Sequence, residues 1–111
     1  MAVTDIKKFD NFILQYVEGI GVRDTPYQEL RVKSVGLADK YVVEVRLNSA
    51  RVYSYEGELV KYEYNNVYVS HGMRMVSDSL AETQEYIEVL KEALDVAFEV
   101  QKYCILNGWW K

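Results

Sequence analysis

The middle of the chain admits only one kind of sheet. Five runs, over residues 27–34, 41–47, 51–55, 59–64 and 67–70, are rich in valine and tyrosine and mostly alternate in polarity. That is the pattern of half-buried strands. Turn residues separate them: Gly36, Asn48-Ser49, Glu56-Gly57 and Asn65-Asn66. A crossover to a parallel strand takes a dozen residues or more, and these gaps do not hold one. The runs predict an antiparallel meander of four to five strands.

A helix is predicted on each side of that meander. Ile6, Phe9, Ile13, Tyr16, Val17 and Ile20 recur at three- and four-residue steps, which places them on one helical face. Thr4 serves as its N-cap, Asp5 complements the dipole, and Gly19 and Gly21 end it. The segment from Gly19 to Asp24 is not a phosphate loop on this reading, because such a loop opens a helix and this one closes one. At the other end, Ser79 and Glu82 make a capping box. The helix they start runs to Asn107-Gly108, where glycine takes a left-handed stop. It is roughly 28 residues long, or about 42 Å. The expected architecture is a single α+β domain over residues 1–111, with the long C-terminal helix packed on one face of the sheet.

The C-terminal helix carries two contrasting arcs. Glu85, Glu88, Glu92, Asp95 and Glu99 fall within about 80° of the helical wheel, and the apolar arc spans about 200°. That is wider than a stripe lying on one sheet. A second contact follows, with the N-terminal helix or with the same helix of a second subunit. Leu90, Leu94, Gln101, Trp109 and Trp110 are the candidates for a subunit interface. Gln101 lies in the apolar arc and needs a partner there, either a symmetry mate or a backbone carbonyl. Trp109 reads either as the hydrophobic contact of a left-handed cap near Cys104 or as an anchor in a partner.

With two-residue turns at Asn48-Ser49 and Glu56-Gly57, the sheet sorts into two faces. Tyr41, Val43, Val45, Leu47, Ala50, Val52 and Leu59 line the core. Glu44, Arg46, Arg51, Tyr53, Tyr55, Val60, Tyr62 and Tyr64 look outward. Stiff phenols beside planar guanidinium groups are the chemistry of binding hot spots. Tyrosine also suits half-exposed strands, so the plain structural alternative stays open. The carboxylate row has two readings as well: a line of negative charge set against a basic partner, or a solvated outer face edged by Lys91 and Lys102.

Composition closes off several classes. One His and one Cys exclude a zinc cluster and a disulfide framework. No cofactor motif and no metal-ligand set is found. The net charge of −4 argues against nucleic acid as the direct ligand. No apolar run of about 18 residues exists, so no membrane span is expected. A lone cysteine and a charged N-terminus point to a reducing, cytoplasmic setting. His71, at the end of the last strand, has no nameable nucleophile and orienting group beside it.

The strand Lys40-Tyr41-Val42-Val43-Glu44-Val45-Arg46-Leu47-Asn48-Ser49 resembles one found in some anti-CRISPR proteins. These small phage-encoded inhibitors follow such a strand with further strands and a long helix. The resemblance implies an inhibitor of a host defence enzyme and carries no functional residues with it. The expected function is a non-enzymatic, homodimeric protein-binding module. Arg46, Arg51, Tyr53, Tyr55, Tyr62 and Tyr64 would touch the partner, and Glu85, Glu88, Glu92, Asp95 and Glu99 would meet its basic groups. A nucleotide-binding or sequestering protein is the alternative, and a small enzyme using His71 is the third.

Overall fold

The computed structural model describes residues 2–71 and 80–111, the side chains of residues 38 and 39 excepted. Two antiparallel sheets lie on one long helix. The first sheet holds β1 (Ala2–Lys8), β2 (Phe12–Ile20) and β3 (Pro26–Ser34), in that order. A short helix, α1 (Leu37–Tyr41), leads to the second sheet. This is a hairpin of β4 (Val43–Tyr53) and β5 (Leu59–His71), and α2 (Leu80–Leu106) follows. The fold is α+β with antiparallel strands and a long C-terminal helix.

The N-terminal helix is not there. Residues 4–20 form most of a hairpin, with Lys8 opposite Ile13 and Ala2 opposite Glu18. The Phe9 N–H closes the turn on the Phe12 carbonyl at 2.8 Å. Asp10-Asn11 is a turn signal, and it splits the apolar series into two strands. Val3, Thr4, Ile6, Ile13, Val17 and Ile20 are β-branched, which disfavours a helix and suits a pleated surface. The three- and four-residue spacing arose from two alternating patterns joined out of phase. Gly19 to Asp24 likewise leaves a strand and enters another one, through a single 3₁₀ turn at Val22–Asp24. No helix N-terminus is offered to a phosphate there.

The meander is also corrected. Its strands divide between two sheets, and two of the expected turns do not exist. Asn48-Ser49 lies within β4, and Asn65-Asn66 lies within β5. Asn48 faces Asn66, the next pair is Ser49 with Tyr64, and Asn65 is left as the extra residue of a β-bulge. Within the β4–β5 hairpin, the expected turn at Glu56-Gly57 does form, over residues 54–58. There the Ser54 N–H donates to the Glu58 carbonyl at 2.7 Å, and Gly57 takes φ +86°.

The core sits between α2 and both sheets. Val89, Ala93, Val96, Val100 and Cys104 form the buried stripe of the helix. They meet Phe12, Leu14 and Leu30 from the first sheet and Val43, Val45, Tyr62 and Tyr64 from the second. Small side chains on this stripe let α2 lie close to β2, β4 and β5 together. Tyr41, at the end of α1, is fully buried in the same cluster. Ser79 of the expected capping box lies outside the described residues. The C-terminal stop is as expected: Gly108 takes φ +70°, its N–H donates to the Ile105 carbonyl at 3.1 Å, and the Trp109 N–H donates to the Cys104 carbonyl at 2.8 Å. This is the double hydrogen bond of a Schellman cap.

Candidate functional site

The tyrosine face divides in two. Tyr53 is half exposed and Tyr55, at the hairpin tip, is wholly exposed. Tyr62 and Tyr64 are buried, with 8% and 3% of their surface accessible. The assignment of all four to the outer face is corrected on this point. It assumed a turn at Asn48-Ser49, which would have inverted the pleat. β4 runs straight through, so Arg51 lies opposite Tyr62 and Ser49 opposite Tyr64 on the side shared with Val43 and Val45. Ala50 and Val60, placed inward and outward by the sequence, are both exposed.

The buried phenols reach the first sheet. The Tyr62 hydroxyl donates to the Pro26 carbonyl and the Tyr64 hydroxyl to the Gln28 carbonyl, each at 3.5 Å. Burial pushes the Tyr64 phenol above its ordinary range. These contacts hold β3 beside β4, although the two strands share no backbone ladder. A cleft of about 490 Å³ remains between them, lined by Leu30, Val32, Leu47, Ser49, Arg51 and Tyr62 among others.

Charges around the cleft are mostly paired. Arg46 bonds Glu44 with its Nε at 2.6 Å and a terminal nitrogen at 2.5 Å. Arg31 reaches Glu29 at 3.3 Å, and Glu29 also accepts from the Tyr27 hydroxyl. That bond raises the Tyr27 phenol. Arg51 differs: its guanidinium lies 6.0 Å from the centre of the Tyr62 ring. Among the described residues no carboxylate forms an ion pair with it.

The helix carboxylates are turned mainly to internal use. Glu92 accepts from the Asn11 backbone N–H at 2.7 Å and from its side-chain Nδ2 at 2.6 Å. Glu85 accepts from the Tyr41 hydroxyl at 2.7 Å and pairs with Lys40 at 3.7 Å. Glu99 meets Lys7 at 3.3 Å and Glu88 meets Lys91 at 3.6 Å. Asp95 alone of the five meets no partner among the described residues.

The interface candidates also separate. Trp109 is enclosed by Tyr16, Tyr64 and Tyr103, with ring centres 5.4, 6.0 and 5.8 Å away. Leu90 packs half-buried against the core. Leu94 is half exposed, and Gln101 and Trp110 line a groove of about 400 Å³ with Val67, Val69 and Phe98. Beside them the structure exposes Leu80, Ile87, Phe98 and Ile105. The signal for this stripe was in the sequence, as steps of seven, seven, four and seven residues through Leu80, Ile87, Leu94, Phe98 and Ile105. It lies inside the apolar arc for which a second contact is expected, and the expected interface set shares Leu94 and Gln101 with it. Asn11 carried no motif and was missed.

His71 ends β5 opposite Val43, with its ring edge-on to Tyr86 at 6.2 Å. Cys104 is buried, and burial pushes its thiol up to about 12. Among the described residues no three His, Cys, Asp or Glu side chains cluster as metal ligands. No helix there is long and apolar enough to cross a membrane. No family model, curated protein or solved structure matches the chain.

Proposed function

We propose that the chain is a non-enzymatic, cytoplasmic protein-binding module that works as a homodimer closed by α2. The observation that carries this reading is the apolar stripe from Leu80 to Ile105. Phe98 keeps 67% of its surface exposed and Leu94 keeps 51%, in the middle of a helix whose other side is sealed. With Gln101, the stripe has the seven-residue rhythm of a coiled-coil seam. An antiparallel second copy, its two-fold axis between Leu94 and Phe98, sets Leu94 against Phe98 of the partner subunit. It also brings Glu88 near Lys102 of the partner subunit, an attractive pair. The groove beside Phe98 gives an incoming ring somewhere to sit.

The β4–β5 hairpin then stays free for a third molecule, with Tyr53 and Tyr55 exposed at its tip and Arg51 and Arg46 exposed further back along β4. Large aromatic and arginine side chains are what binding hot spots use. The sequence likeness of residues 40–49 to a segment of anti-CRISPR proteins, of which the part from Val43 onward lies in β4 and Lys40-Tyr41 close α1, supports an inhibitor of a nucleic-acid-processing or defence enzyme as the role.

Light scattering on a sizing column tests the assembly. The expected mass is twice 13.0 kDa. Phe98→Glu should return a single-chain mass with an unchanged circular dichroism spectrum, because the side chain is exposed. A single-chain mass for the unsubstituted protein at tens of micromolar overturns the reading.

A further inference from the structure

Resting on the reading of the chain as a protein-binding module, we propose that the outer edge of β4, from Leu47 to Arg51, takes up an extended acidic segment of the partner as an added strand. The edge can be identified from the tail. The Tyr64 N–H donates to the Trp109 carbonyl at 2.5 Å, and the Tyr64 carbonyl accepts from the Lys111 N–H at 2.9 Å. Both groups point away from β4. In an antiparallel ladder, opposed residues either exchange both hydrogen bonds or direct both outward. Ser49, opposite Tyr64, therefore turns its backbone groups toward the cleft. Alternation adds Leu47 and Arg51.

The two sides of the cleft are not equivalent. The edge of β3 is already engaged, through the Pro26 and Gln28 carbonyls, by the phenols of Tyr62 and Tyr64. The edge of β4 has no such substitutes among the described residues. Ser49 and Arg51 are exposed and Leu47 is half exposed. Five residues of edge run about 17 Å. That length suits a short peptide bound by main-chain hydrogen bonds, with side-chain pockets adding selectivity.

Charge defines the occupant. Arg46 and Arg31 are neutralised by Glu44 and Glu29, whereas Arg51 lies at the cleft without a carboxylate partner among the described residues. A strand carrying an acidic side chain beside Arg51 completes that pair. The protein's net charge of −4 opposes it only weakly, since exposed charges beyond about 8–10 Å are screened at physiological salt.

The test uses the full chain and an acetylated heptapeptide of alternating valine and glutamate as probe. Amide hydrogen exchange is followed by NMR. Binding should slow exchange at Leu47, Ser49 and Arg51 by about tenfold or more. A heptapeptide N-methylated at alternate residues keeps its side chains but loses its donors, and should bind about tenfold more weakly. Lysine in place of glutamate should weaken binding, and Arg51→Glu should reverse that preference. Unchanged exchange at the three amides, protection on β3 instead, or equal binding of the N-methylated peptide overturns the proposal. So does concentration-dependent protection without peptide, which means a second copy pairs with the edge. The dimer mass and the effect of Phe98→Glu are read independently of the peptide. Failure here therefore leaves the homodimer standing, and failure of the homodimer leaves the strand site to be judged on its own amides.

Discussion

Trp109 and Tyr64 are joined twice. Their rings pack at a tilt with centres 6.0 Å apart, and the Tyr64 N–H donates to the Trp109 carbonyl. The last residues thus act as a short strand on the outer side of β5, with a parallel bridge between Tyr64 and Trp110. The same indole touches Tyr16 of β2 and Tyr103 of α2, so one side chain ties both sheets to the helix end. Trp109→Ala should cost about 3–5 kcal/mol, the usual range for a large aromatic removed from a packed site. In a domain near 100 residues this lowers the melting temperature by at least about 12 °C. A thermal melt reads it, and a loss below about 1 kcal/mol would mean that the tail is not fastened.

The divided tyrosine face predicts a divided response. Tyr53→Ala and Tyr55→Ala remove exposed rings and should leave stability within about 0.5 kcal/mol. Tyr62→Ala and Tyr64→Ala empty buried volume and strip β3 of its phenol bonds, costing about 3–5 kcal/mol each. Urea denaturation of the four variants checks this. Equal effects at all four positions would contradict the pleat set by the bulge at Asn65.

What was legible in the chain follows from how local each cause is. The stop at Gly108 and the folded-back Trp109 are set within one turn of helix, so the sequence displays them directly. The strand-forming runs are legible for the same reason, since valine and tyrosine act on their own backbone. Connectivity is not local. Asn48-Ser49 and Asn65-Asn66 each carry a turn signal, but they face one another across a long hairpin, and the pairing absorbs both into a single bulge. The outward placement of Tyr62 and Tyr64 failed with them, because one misplaced turn inverts every later side chain. At the N-terminus, two strands mimicked a helical period. The bond from Asn11 to Glu92 joins residues 81 positions apart, and no spacing rule points to it.

That bond gives a coupling prediction. Glu92 accepts two short hydrogen bonds from Asn11 and pins the β1–β2 turn to the middle of α2. Glu92→Ala should cost about 1.5–3 kcal/mol, as for hydrogen bonds to a charged group. Asn11→Ala removes the side-chain donor alone and should cost less. The double substitution should cost clearly less than the two singles added, with a coupling of about 1 kcal/mol or more. Strict additivity in a double-mutant cycle would show that the Asn11 side-chain bond is not coupled to Glu92.

Stability should fall on the alkaline side. Burial raises the Cys104 thiol from 9.0 to about 12. The Tyr16 phenol rises from 10.0 to about 12 through burial and then the charge of Glu18, and burial raises Tyr64 as well. In each case the neutral, protonated form is favoured in the fold, and the unfolded chain gives up its proton first. Above about pH 9 the folded state therefore binds more protons than the unfolded one, and the stability of unfolding declines with pH. The contribution of each group is complete below its unfolded value and is lost as pH climbs toward the folded one. For Cys104 the slope is about 1.4 kcal/mol per pH unit between 9 and 12. Urea midpoints should be flat from pH 7 to 8 and then drop, and Cys104→Ala should flatten the segment between 9 and 10. The thiol should resist iodoacetamide at pH 8 until urea unfolds the chain. A midpoint that rises through pH 10, or a thiol alkylated at the rate of a free cysteine in the folded protein, would place Cys104 outside the sealed stripe of α2.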